Sequence, residues 1–296
     1  MVIFYIFFFI LGTVIGSFLN VVILRLKNKK SIFKKPSHCP FCKEKLKWYE
    51  LIPIISFVLQ KGRCRKCKKK ISWQYPLVEL ATGLLFFLII FNWATTTHTY
   101  QFSIFSVFLL LISCFLIIIF VYDLKYYLVP DKIIYPAIVI TLLYGIQSSR
   151  FANAGAIFNL QSIFNYLLAG AIGGTFFLVI FLISRGKWMG LGDVKIGVLM
   201  GLLLGLSHLF IALFLAFLIG GTVSIILLVL KKKALKSEIP LGPFLTGATF
   251  ITLLCGDFDF LKKENKFLYQ FLLKYHLPLY REGLPDMYKY YSYHRK

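Results

Sequence analysis

The chain has 296 residues, of which 58% are hydrophobic and 16% charged, with a formal net charge of +22. Soluble domains run nearer about 45–50% apolar and about 25% charged, so this composition excludes an ordinary soluble domain. About 20 apolar residues span a bilayer core, and a spanning segment must satisfy its own backbone. The long apolar runs therefore predict an all-α polytopic membrane protein.

The first predicted helix covers residues 2–24 and leads straight into a basic segment. No small-residue cleavage site follows it, so it reads as a retained span rather than a signal peptide. Seven more spans are predicted, over 76–93, 103–122, 132–147, 163–184, 194–206, 208–230 and 241–255, for eight transmembrane helices in all. The sixth is short and glycine-rich (Gly197, Gly201, Gly205), which suits a tilted helix or one starting below the membrane surface. The organisation is thus a first transmembrane helix (1–24), a soluble cysteine-bearing segment (25–75), a membrane core (76–256) and an aromatic, basic tail (257–296). Leu261–Tyr275 in the tail has the pattern of an interfacial amphipathic helix. Eight spans put the tail outside, whereas its eight Lys and Arg favour the opposite side.

Sixteen of the 34 Lys and Arg lie between Arg25 and Lys70, and others at Arg185, Lys187, Lys195, Lys231, Lys232, Lys233 and Lys236. Loop 94–102 has none and loop 148–162 has only Arg150. Loops that alternate in this way follow the positive-inside rule, which makes the basic loops cytosolic and the N-terminus external. The charge then reads as a topology signal and an anchor to anionic membrane lipids, not as a nucleic-acid surface.

Within the basic segment, Cys39-Pro40-Phe41-Cys42 and Cys64-Arg65-Lys66-Cys67 are separated by 21 residues. Two such pairs read as a four-thiolate zinc site, each knuckle giving two tetrahedral ligands. Nearby Lys and Arg favour thiolates, and a cytosolic place disfavours structural disulfides. Four protein ligands leave no open position, so the Zn2+ is structural. His38 adjoins the first knuckle and reads as a solvated loop residue. Cys114 and Cys255 lie in apolar runs and read as packing residues.

Two acids close apolar runs at the same membrane face. Asp123 ends one, in Tyr122-Asp123-Leu124-Lys125, and Asp193 begins another, in Gly190-Leu191-Gly192-Asp193-Val194-Lys195. Carboxylates at membrane depth are costly and mark function. Singly, Asp123 could face water, and Asp193 could be a helix N-cap, a position that Asp favours. Together they suit aspartic-protease chemistry: the pair shares one proton, the ionised member activates water, and the protonated one polarises a peptide carbonyl. Gly190 and Gly192 would allow unusual dihedrals and close approach of an extended peptide. Asp131, after Pro130, rivals Asp123 but reads as a helix N-cap. Gly256-Asp257 lacks the earlier glycine, since residue 254 is Leu.

The motifs resemble those of the bacterial type IV prepilin leader peptidases. The likeness runs in order from Gly16-Ser17-Phe18-Leu19-Asn20-Val21, through Ser37-His38-Cys39-Pro40, Ile52-Pro53-Ile54, Gly62-Arg63-Cys64 and Tyr75-Pro76 with Glu79. It continues in Asp123-Leu124-Lys125, Val129-Pro130-Asp131, the Gly190–Lys195 element and Pro240-Leu241-Gly242-Pro243-Phe244. It covers about residues 1–256 and leaves the tail outside. The resemblance implies an inner-membrane aspartic endopeptidase that cuts the basic leader of prepilins or type II secretion pseudopilins after a glycine. Asp123 and Asp193 would be the catalytic pair, supported by Gly190, Gly192 and Lys195. It also implies methylation of the new N-terminus from S-adenosylmethionine, with Glu79 as the matching glutamate. The alternative for Glu79 is an acid stabilised at a helix N-terminus. Two other classes compete. A transporter would carry acids along the middle of its spans, and a zinc-ribbon module on an inert anchor leaves the glycine-flanked aspartate unexplained.

Overall fold

The computed structural model describes residues 2–27, 37–97, 104–151, 160–230 and 240–255, and is helical throughout its membrane part. The tail, with Leu261–Tyr275, lies outside the described residues. The helices are α1 (Val2–Lys27), α2 (Ile55–Leu59), α3 (Gln74–Thr97), α4 (Ile104–Tyr126), α5 (Asp131–Phe151), α6 (Leu160–Ser184), α7 (Leu191–Val229) and α8 (Gly242–Cys255), with a 3₁₀ turn at Trp48–Leu51. Five of them, α1, α3, α4, α6 and α7, are long and apolar enough to cross a membrane, and α8 is a shorter apolar helix. The chain is a multi-pass helical membrane protein. The expected spans recur as helices, mostly a few residues longer, because the flanking polar residues continue the helical backbone into the interface.

The expected separation of 194–206 from 208–230 takes a different form. Both fall within α7, which loses helical dihedrals at Gly205 (φ 68°, ψ 176°). Packing shows that the chain reverses there. Gly173 of α6 lies against both the Gly197 carbonyl and Leu209, points about 18 Å apart along a straight helix. Phe177 likewise meets Gly197 and, with ring centroids 6.5 Å apart, Phe217. Only a hairpin satisfies both contacts, so the two limbs of α7 flank α6.

Small residues set the close crossings, as expected where lipid supplies no hydrophobic drive between helices. A Cβ on Gly12 would stand 2.8 Å from the Gly83 Cα, and one on Gly16 would stand 2.8 Å from the Glu79 Cα, so α1 and α3 run antiparallel in near backbone contact. Gly201 meets the Ala169 carbonyl between α7 and α6 in the same manner. The main core gathers Ile112, Leu116 and Ile119 of α4, Ile134 of α5, Phe177 of α6, Ile196, Leu199 and Met200 of α7, and Leu245 of α8. It lies directly beneath the helix ends that carry the acids.

Candidate active site and metal centre

Asp123 occupies the last turn of α4 and is only 5% exposed. The turn is closed by Tyr127, in the left-handed region (φ 55°), whose N–H donates to the Asp123 carbonyl at 2.9 Å. The chain then reaches Pro130, whose carbonyl accepts the Ile133 N–H at 2.9 Å and starts α5. Between them, Val129 packs on α7: a Cβ at Gly192 would be 2.6 Å from its Cγ2.

Asp193 sits in the first turn of α7 and is half-buried. The N-cap expectation needs correction. Gly190 is the N-cap, and the Asp193 carboxylate reaches back to accept the Gly190 N–H at 3.3 Å. The unusual dihedrals expected of the two glycines also need correction. Gly190 has ordinary extended dihedrals (φ −88°, ψ 159°), and Gly192 is helical. Neither supplies unusual backbone; Gly192 supplies the space that Val129 fills.

Asp123 lies near enough to Asp193 for its charge to act on the Asp193 carboxyl. Asp123 accepts a backbone hydrogen bond from Gly242 at the start of α8. Lys195 is turned to Asp131, with which it pairs, and its ammonium lies 4.9 Å from the Tyr135 ring centre. It therefore joins α7 to α5 beside the acids. Asp131 begins α5 and is engaged by Lys195 rather than by Asp123.

Glu79 is buried near the start of α3, 7% exposed. Its carboxylate accepts the Ile54 N–H at 2.7 Å and a hydrogen bond from Ser17 of α1. Ile54 holds φ 60°, a strained value for a β-branched residue. Nearby, Lys125 donates to Gln74 (2.8 Å), Gln74 to Asn20 (3.3 Å), and Asn20 to the Tyr75 carbonyl (3.2 Å). This chain joins the end of α4 to the start of α3 and to Asn20, within α1. Glu79 and Asp123 are thus tied to one face of the helix assembly.

The four cysteines converge as expected. Their sulfurs lie within 4.8 Å of one another, Cys39 to Cys67 at 3.9 Å and Cys42 to Cys64 at 4.0 Å. Thiolates on a tetrahedral zinc at about 2.3 Å would sit about 3.8 Å apart, so the set fits that ion. The two knuckles are copies. Cys39 N–H donates to the Glu44 carbonyl (2.9 Å) and Lys43 N–H to Cys39 (3.0 Å), as Cys64 does to Lys69 (3.0 Å) and Lys68 to Cys64 (3.0 Å). Lys43 and Lys68 both take the left-handed turn, with φ of 57° and 55°. The Cys67 and Lys66 backbone N–H groups lower the Cys64 thiol to about 7. The Glu44 N–H favours ionised Cys42, but burial and its three sister thiols outweigh it and push Cys42 up to about 11. His38 is exposed and lies outside the cluster, as expected.

Sequence reading missed Val129, Ser17 and the Gly242 amide as members of these sites. All three stood inside family-like motifs (Gly16–Val21, Val129–Asp131 and Pro240–Phe244), but a motif names no contact, and the Gly242 donor is a backbone N–H with no side-chain signature.

Comparison with known proteins now decides the family. Residues 10–93 match the bacterial peptidase A24 N-terminal domain, and residues 110–225 match the type IV leader peptidase family. A prepilin leader peptidase/N-methyltransferase of Bacillus subtilis is 32% identical over 249 residues, 84% of this chain and 93% of its own. The chain belongs to the type IV leader peptidase family. Proteins of the same description from Neisseria gonorrhoeae and Pseudomonas aeruginosa are each 29% identical, over 84% of this chain and 89% of their own. No solved structure matches. The first family match contains the four-cysteine cluster and Glu79, and the second contains both acids. Helix α8 lies beyond either match.

Proposed function

We propose that this protein is a membrane aspartic endopeptidase that removes the basic leader of type IV prepilins or pseudopilins after a glycine and then methylates the new N-terminus. The peptidase and methyltransferase classes follow from the family and from the names its relatives carry. One observation carries the site: Asp123 and Asp193, from helices distant in sequence, interact at one end of the assembly. The proposed mechanism needs only these acids and water. The ionised carboxylate takes a proton as the water oxygen bonds to the scissile carbonyl carbon. The carbonyl electrons move to its oxygen, which receives a hydrogen bond from the protonated acid. Collapse of this species breaks the C–N bond, and the leaving amine takes the transferred proton. Gly190, Gly192 and Lys195 hold the acids' frame.

S-adenosylmethionine would supply the transferred methyl group. A buried carboxylate such as Glu79 suits a cationic reactant, and its fixation by Ile54 and Ser17 would keep it aimed while the new amine binds. The four thiolates would hold Zn2+ as a structural staple. The domains read as 1–24, 25–75, 76–256 and 257–296. Eight spans in the inner membrane, with the acids and zinc domain cytosolic and the N-terminus external, accord with the charge distribution. A prepilin has its leader at that boundary, and anionic lipids would screen the basic face from the basic leader.

The test is cleavage of a purified prepilin in proteoliposomes. Asp123→Asn and Asp193→Asn should fold and lose at least about 10²–10⁴-fold in rate, and the wild-type product should gain one methyl group by mass spectrometry. Full cleavage by both variants would remove the dyad assignment. A transporter or inert zinc module would give no cleavage from the wild type.

A further inference from the structure

We infer that the first turn of α8 belongs to the peptidase site and that Gly242 is the positioning residue for Asp123. The inference rests on the proposed catalytic role of Asp123. A helix begins with N–H groups that have no partner inside the helix. In α8, Pro243 has no N–H, while those of Phe244 and Leu245 turn back to the Leu241 carbonyl at 3.0 and 3.1 Å. The Gly242 N–H goes to Asp123. Buried Thr246 fastens the same turn from the other side, donating to the carbonyls of Gly242 (2.8 Å) and Pro243 (3.2 Å).

Space makes the position specific. A Cβ at 242 would stand 2.5 Å from Asp123 Oδ2, 3.0 Å from its Cγ and 3.2 Å from Ile196 Cδ1. Ile196 lies about one turn beyond Asp193 on α7. Glycine thus lets α8 wedge between the two acid-bearing helices, touching one carboxylate and the helix of the other. The dyad acquires matched donors, the Gly190 amide on Asp193 and the Gly242 amide on Asp123. A fixed amide holds the Asp123 rotamer while the carboxylate keeps acceptor capacity for water or the shared proton.

The experiment compares Gly242→Ala with Gly247→Ala in the full chain, reconstituted with a purified prepilin. Gly247 is the control on the same helix, since a Cβ there meets nothing nearer than Phe120 Cε2 at 3.9 Å. Gly242→Ala should lower kcat at least about tenfold with KM within about twofold, because misplacing a reacting group costs rate rather than binding. It should also displace the acid limb of the kcat–pH profile. Gly247→Ala should retain both values. A Gly242→Ala enzyme with wild-type kcat and pH profile overturns the inference.

A second measurement needs no altered residue at 242. With ¹³C′-Leu and ¹⁵N-Gly labels, the Leu241–Gly242 amide is assigned by its loss in Leu241→Met. It should shift as the wild type is titrated and stay fixed in Asp123→Asn. Asp193 of α7 is the titratable group facing Asp123, and Lys125 on α4 is turned to Gln74, so Asp193→Asn separates their contributions. A pH-insensitive amide in the wild type sinks the inference alone. Normal cleavage by Asp123→Asn instead sinks the peptidase reading, whatever the amide does.

Discussion

Gly190 and Gly192 look equivalent in sequence, yet one substitution should be tolerated and the other should not. At Gly190 a Cβ meets only the Gly192 nitrogen, at 3.8 Å, and the dihedrals suit any residue. At Gly192 the Cβ would lie 2.6 Å from Val129 Cγ2. Overpacking of this kind costs about 1–3 kcal/mol, and here it pushes on the loop leading from Asp123 to α5. Gly192→Ala should therefore lower both thermal stability and cleavage rate, while Gly190→Ala keeps most of each; equal loss in both would refute the spatial explanation. Glu79 poses a similar choice between charge and position. Gln at 79 can still accept the Ile54 N–H, so Glu79→Gln tests charge alone. If the carboxylate serves methyl transfer, the variant cleaves normally and releases unmethylated product. Methylation at the wild-type level would leave Glu79 as a latch for the Ile54 loop. At this scale the acids were legible because carboxylates at a membrane edge are rare and costly. Their amide donors were not, since every residue except proline has an N–H.

Among the elements, the two cysteine knuckles were the most legible, because thiolate spacing on a chain is a direct consequence of tetrahedral coordination. The segment between them was not. The 3₁₀ turn, α2 and the left-handed Ile54 are short and largely exposed, so no hydrophobic period announces them. Little buried apolar surface holds this segment together. Among the described residues from 37 to 73, only Cys39 and Cys64 are buried apolar residues, and Phe57 and Trp73 meet as a tilted ring pair 5.1 Å apart. A metal staple should thus contribute much of its order. The purified protein should contain one zinc per chain by mass spectrometry of metals, and Cys67→Ser should lose it. Chelation should open cleavage sites for trypsin among Lys61, Arg63 and Lys66 while the membrane helices stay protected. A segment equally resistant with and without metal would contradict this role.

The whole molecule depends on the reversal at Gly205. Without it, α7 would run about 58 Å, against a hydrocarbon core of about 30 Å. Its end at Val229 would then emerge opposite Asp193. The hairpin returns the chain to the face where it began. Only then can α8 start beside Asp123, as the Gly242 contact requires. The same face gathers the Lys195–Asp131 pair and the Lys125–Gln74–Asn20 chain. The charge pattern had already placed these helix ends together, which is why the acid pair could be anticipated. The reversal itself was visible only as one glycine among several in an apolar run; its role depends on a dihedral pair open to glycine. An L-residue there costs about 1–3 kcal/mol, so Gly205→Ala should lower the melting temperature and reduce processing, whereas Gly221→Ala, with nothing within 4 Å of its Cβ, should do neither. Topology gives the more direct check. Single cysteines at Trp188 and Leu230, in a chain with Cys114 and Cys255 replaced by serine and zinc bound, should label from the same side of sealed vesicles. Labelling from opposite sides would mean that α7 crosses straight, and would separate α8 from Asp123 altogether.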